Sequence, residues 1–120
     1  MSSEPIYHIC RRVEWEAGEA VGVYRGSSQD ASDGFIHFST GDQVRRSAGK
    51  HRAGQSDLVL VTVEPSVLGD DLKWEPSRDG VPFPHLYGVL PLSAVLGVVD
   101  LPLGPDGLHV FPPAIPLVGH

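Results

Sequence analysis

The chain reads as an α+β domain, a strongly bent and split, mostly antiparallel β-sheet with two helices near the front. Three observations lead there. Fourteen glycines and eleven prolines punctuate 120 residues, which favours short strands joined by turns over long helices. Five or six segments rich in β-branched and aromatic residues recur along the chain, the clearest being LVLVTV at 58–63. Helical spacing of apolar residues is confined to two stretches before residue 52.

Taken in order, residues 6–10 (IYHIC) form the first predicted strand. Residues 11–20 then read as a helix, with Val13, Ala17 and Ala20 on one face and Arg12 to Glu16 as an i,i+4 ion pair; Gly18 weakens it. Residues 21–25 are a short extended piece and 27–33 a polar loop. Residues 35–38 read as a strand that ends where a second helix begins. Thr40 and Gln43 match a capping box there, and Asp42 lies in the first turn. That helix runs to about His51 on a thin apolar face, Val44 and Ala48. The unbroken apolar run 58–63 implies burial on both faces, and Pro65 ends it. Residues 72–75 are a short strand, Asp79-Gly80 a turn into FPHLYG, and 95–101 a further strand interrupted by Gly97. The last stretch, 102–120, holds five of the eleven prolines and reads as an edge strand at 108–111 followed by loose residues. The chain is one domain over 1–120, with its core at about 5–102.

Hydrophobic residues at 41% and charged residues at 20% describe a globule able to bury one core. Nine basic against fifteen acidic residues give a net charge of −6, which opposes general nucleic-acid binding. The single Cys10 rules out an intrachain disulfide and agrees with a reducing cytoplasm; its apolar setting suits an inert buried thiol. MSSEP lacks the features of a signal peptide, and no apolar run is long enough to span a bilayer, so a cytoplasmic location is expected. The oligomeric state is not legible.

Chemistry concentrates in three histidines, His8, His37 and His85, each among apolar and aromatic neighbours. Imidazole can donate, accept, shuttle a proton or bind a metal near neutrality. A zinc hydrolase lacks the usual local spacings. Ser39 shares a strand face with His37, yet no G-x-S-x-G elbow accompanies it, and Ser39 and Thr40 read as a helix cap. No P-loop or dinucleotide fingerprint is present. What remains for phosphate is the helix N-terminus at 39–42 and the basic cluster Arg45-Arg46, Lys50, His51, Arg52, which is either an anion-binding face or a solvated helix face. Glu75 follows Trp74, and it is either an exposed glutamate near a turn or a candidate acid or base whose pKa the aromatic neighbour raises by desolvation. Tyr24, Tyr87 and Trp74 are either core aromatics or a stacking wall for a flat ring.

IYHI near the start, Trp15, the GxY of 22–24, GFIHFST with Gln43-Val44, DLVLVTVE, LxWE at 72–75 and FPHLYGVLP follow one another in order to about residue 102. This pattern resembles domain of unknown function family 952, and its fold is similar to that of ADP-ribosyltransferases, a split β-sheet that binds NAD in a crevice. In the branch resembling RNA 2′-phosphotransferase, His8 matches a first-strand histidine that contacts a ribose of NAD, and His37 a second that orients the nicotinamide ribose or an attacking group. Glu75 or His85 would stand for the third-strand glutamate of related toxins. The resemblance implies catalytic roles for His8, His37, His85 and Glu75, and NAD or related-nucleotide contacts for Tyr24, Ser39, Thr40 and Tyr87, with no metal. NAD would be a substrate rather than a bound cofactor, and the activity an ADP-ribosyl or phosphoryl transfer. The residues leave two other readings open, a non-catalytic module for a small ligand or protein, and a His-ligated metal hydrolase.

Overall fold

A computed structural model describes residues 4–76 and 80–112. Its centre is a four-stranded antiparallel sheet made from β1 (Ile6–Arg11), β4 (Ser39–Thr40), β5 (Leu58–Val63) and β9 (Val95–Leu101), in the order β4-β1-β5-β9. The alternation of β1 and β5 explains burial on both faces. Ile6, Cys10, Val59, Val61 and Val63 face one apolar cluster with Trp15, Tyr24, Ile36 and Leu86. Tyr7, Ile9, Leu58 and Leu60 face a second with Val44 and Ala48. The sheet is split as expected: β3 (Ile36–His37), β7 (Pro82–Leu86) and β6 (Leu72–Pro76) form a separate three-stranded sheet, and β2 (Val23–Tyr24) pairs with β8 (Leu90–Pro91).

Among the described residues three α-helices, rather than two, pack on these sheets: α1 (Arg12–Val21), α2 (Ser28–Asp33) and α3 (Val44–His51). The stretch read as a polar loop is α2. Ser27 and Asp30 close a capping box, each side chain accepting from the other's backbone N–H, and this satisfies donors that an apolar stripe would otherwise have to shield.

The buried face of α1 also differs. Trp15 and Gly18 are buried, whereas Val13 is 61% exposed. A tryptophan removes far more apolar surface than alanine or valine, and Gly18 lets Tyr24 approach so closely that a Cβ at 18 would lie 3.0 Å from its ring. Arg12 does not pair with Glu16; its guanidinium reaches Asp57 at 2.9 Å and Asp100 at 2.5 Å, tying α1 to the ends of the central strands.

Helix α3 starts at Val44, later than predicted, because residues 39–40 are used as β4. Half of the expected capping box survives: the Thr40 N–H donates to Gln43 Oε1 at 3.0 Å. No free helix N-terminus therefore stands at 39–42. Gln43 also donates to the Pro82 carbonyl at 2.8 Å, which fastens α3 to β7. The predicted strand at 108–111 is reduced to one bridge, Leu103 to His109. Cys10 is buried, and burial pushes its thiol up to about 11. Among the described residues, no helix is long and apolar enough to cross a membrane.

Candidate functional site

His8, His37 and His85 do converge. All three line one cavity of about 380 Å³ where β1, β3, α3 and β7 meet, a volume in the range of small-molecule sites. Their environments differ sharply.

His8 is 3% exposed and forms the floor. Its Nδ1 lies 2.6 Å from the His37 carbonyl, which can only accept, so Nδ1 carries the hydrogen. Burial, the largest influence, lowers the His8 pKa despite the nearby Asp30 charge. The ring is therefore neutral, and Nε2 accepts from the Tyr24 hydroxyl at 2.7 Å. Tyr24 is 1% exposed, and burial holds its phenol well above the ordinary range. Both nitrogens of His8 are spent inside the protein. The expectation that His8 touches a ribose thus meets a ring with no free nitrogen, and Tyr24 props His8 from within the core instead of lining the cavity.

His37 sits on β3 with its side chain 38% exposed. Its Nδ1 is 2.5 Å from Asp30 Oδ1 and its Nε2 is 3.1 Å from Asp33 Oδ2. Asp30 is buried and also accepts from the backbone N–H groups of Ser27 at 2.8 Å and His37 at 3.2 Å. Burial works to raise the Asp30 carboxyl, but the hydrogen bond from the His37 ring, the neighbouring imidazole and the two backbone donors outweigh it and hold it at about 2.

His85 lies directly opposite His37 in the β3–β7 register, with ring centroids 5.5 Å apart. Phe35 stacks on the His85 ring at 4.2 Å. The His85 Nδ1 is 2.8 Å from Glu75 Oε1, and the Tyr87 hydroxyl donates to the same oxygen at 2.7 Å. Nε2 of His85 has no partner among the described residues. The carboxyl of Glu75 is lowered, first by the Tyr87 hydrogen bond and then by His85. This reverses the expectation of a raised pKa. Trp74 and Glu75 are successive strand residues and point to opposite faces; Trp74 is 51% exposed and desolvates nothing.

The other expected residues divide. Ser39 lines the cavity, its hydroxyl bonded to Ser47 at 3.1 Å. Thr40 faces a different hollow beside Pro5 and Trp74. Glu75 and Tyr87 stand behind His85, outside the cavity wall. Sequence reasoning missed Asp30 and Asp33; the S-x-x-D signature at 27–30 was visible, but it announces a helix start and says nothing of a histidine partner. The basic cluster proves mixed. Arg46, Lys50, His51 and Arg52 line the cavity. Arg52 is engaged by the Ile9 carbonyl and Gln55, and Arg45 lies over the Phe111 ring. Arg46 and Lys50, one turn apart on α3, have no hydrogen-bond or ion-pair partner among the described residues. Nor, among the described residues, do three or more of the His, Cys, Asp and Glu side chains gather as a metal site.

A family model described as a protein of unknown function (DUF952) matches residues 9–98. The chain belongs to the DUF952 family. Among solved structures, the crystal structure of protein CC0527 from Caulobacter crescentus is similar, at 49% identity and a TM-score of 0.85 over 88% of this chain and 93% of that one. A doubly substituted form of the same protein gives 48% identity and 0.85. Its solution NMR structure gives 50% identity and 0.77 over 87% of this chain and 90% of that one. No curated protein matches. At this identity the small α+β architecture described above is shared with CC0527, and DUF952 membership extends over most of the elements that build the cavity.

Proposed function

We propose that the cavity binds a small phosphate-bearing nucleotide, NAD or a related one, with its anionic group against Arg46 and Lys50. The observation that carries this reading is the pair of cations, without partners among the described residues, that open onto the same cavity as His37 and His85. Two like charges one helical turn apart repel each other, and a bound phosphate relieves that repulsion while forming charge-assisted hydrogen bonds. Phe35, stacked on His85, and Phe83 in the wall offer apolar surface to a base or sugar. The resemblance to the ADP-ribosyltransferase fold, with its crevice for NAD, supports the same ligand class.

The test is a thermal-shift panel of NAD, ADP-ribose and nicotinamide mononucleotide. A ligand at a hundred times its Kd stabilises by about 2.7 kcal/mol, a rise of roughly 10 °C for a domain of this size. The double variant Arg46→Ala, Lys50→Ala keeps the unliganded melting temperature and loses the rise. No rise with any of the three ligands overturns the reading. A second reading, a non-catalytic module in which histidines only hold strands together, draws on the fully engaged His8; it predicts binding without turnover.

A further inference from the structure

Resting on that nucleotide reading, we infer that the cavity acts on a phosphate-ester P–O bond, with His85 as base, His37 as acid and Glu75 as a positioning residue. The alternative bond in NAD is the glycosidic one to nicotinamide. That base departs neutral and needs no proton, so two imidazoles would stand idle. That cleavage instead calls for a carboxylate beside the developing ribose cation; Asp30 and Glu75 are tied to histidines, and Asp33, the other carboxylate of the wall, is paired with His37 Nε2.

A P–O bond suits what is present. Glu75 fixes the His85 ring through Nδ1, Tyr87 fixes Glu75, and the remaining nitrogen, Nε2, is free. A carboxylate that holds an imidazole by one nitrogen orients the other for proton transfer. Both nitrogens of His37 meet carboxylates, Nδ1 at Asp30 and Nε2 at Asp33; Nε2 serves a leaving group when the exposed Asp33 turns to water. The two rings stand side by side from directly paired strand positions, edge to face with centroids 5.5 Å apart, so a phosphoryl group seated over the pair, on the cavity side, meets a base at one end and an acid at the other. Arg46 and Lys50 supply the charge that stabilises the phosphoryl oxygens.

The step balances with water as the only co-reactant. The water oxygen bonds to phosphorus while His85 Nε2 takes its proton. The P–O bond to the leaving oxygen, a ribose alcohol in a cyclic phosphodiester or the second phosphate in the NAD pyrophosphate, breaks, its electron pair stays on that oxygen, and the oxygen takes the proton from His37 Nε2. Proton exchange with solvent restores both rings. The substrate class is a small phosphodiester, for which 2′,3′-cyclic AMP is the probe.

The experiment incubates the full chain with 2′,3′-cyclic AMP or with NAD in 18O-labelled water, and reads products by chromatography and mass. The expected result is a phosphomonoester carrying the label on phosphorus. His85→Ala lowers kcat by about 100-fold or more, with partial rescue by added imidazole. Glu75→Gln lowers kcat with KM little changed and displaces the acid limb of the pH–kcat profile, which a purely structural glutamate would not do. His85→Gln serves if His85→Ala melts early. Release of nicotinamide as the sole product overturns the inference, and so does a thermal shift without any P–O cleavage, which leaves the binding reading standing. Absence of any shift with the nucleotide panel or with cyclic AMP removes the binding reading and takes this inference with it.

Discussion

Replacing Asp30 with asparagine tests whether its buried charge holds the cavity together. Three donors converge on the carboxylate, from the Ser27 and His37 backbones and the His37 ring. They lower its pKa from an ordinary 3.8 to about 2. At 1.36 kcal/mol per unit, that difference amounts to about 2 kcal/mol of stability at neutral pH. The sign follows from a carboxyl depressed on folding: its contribution is full above the unfolded pKa and is lost as pH falls through the folded one. On these values about 1 kcal/mol has gone by pH 3 and about 2 kcal/mol by pH 2. Asp30→Asn should therefore cost about 2 kcal/mol or more at pH 7, because the amide also points donors at donors. Urea unfolding of both proteins from pH 7 down to pH 2 provides the assay. The gap between them should narrow below pH 4, since only the native side chain titrates there. Parallel curves down to pH 2 would refute the assignment of charge to Asp30.

Other expectations follow from the same contacts. Tyr24→Phe strips His8 Nε2 of its buried donor and should cost about 1–3 kcal/mol, read as a lower urea midpoint with an unchanged slope; an unchanged midpoint would mean that the bond contributes nothing. His8 carries a lowered pKa, so the unfolded chain binds more protons below about pH 6.5 and stability falls as pH drops from there. His8→Gln should flatten that limb between pH 7 and 5, and a wild-type limb already flat would contradict the buried neutral ring. Gly18→Ala gains about 1 kcal/mol of helix propensity but places a Cβ 3.0 Å from the Tyr24 ring and 3.1 Å from its Cα. Overpacking of that kind costs about 1–3 kcal/mol, so a net loss should appear in the melting temperature, and a gain would show that Tyr24 can retreat.

What the sequence displayed depended on where stability comes from. β1 and β5 were visible because a strand buried on both faces is largely apolar along its whole length, as 58–63 is but for Thr62. α2 was missed because SQDASD buries no apolar stripe, although the S-x-x-D signature of its start stands at 27–30; its order comes from the Ser27–Asp30 box and from the use of Asp30 by His37. The face of α1 was misread because spacing alone weighs Ala17 like Trp15. The Glu75 error was avoidable, since period-two alternation already sets Trp74 on the far side. The convergence of His37 and His85 was expected from the resemblance and not from spacing, as it depends on the pairing of β3 with β7 across a separation of almost fifty residues.

The charge of the whole chain and the charge of the cavity make opposite claims about an anionic ligand. A net charge of −6 repels phosphate, whereas Arg46 and Lys50 attract it at short range. Salt separates them, because the Debye length contracts from about 10 Å at 0.1 M to about 3 Å at 1 M. If the local cations decide, raising salt across that range weakens the Kd of a phosphate-bearing nucleotide several-fold, and the Arg46→Ala, Lys50→Ala variant, already weak, hardly responds. If the global field decides, salt tightens binding in both proteins alike. Titration calorimetry at the two ionic strengths reads the sign directly, and tighter binding at high salt would place the phosphate away from α3.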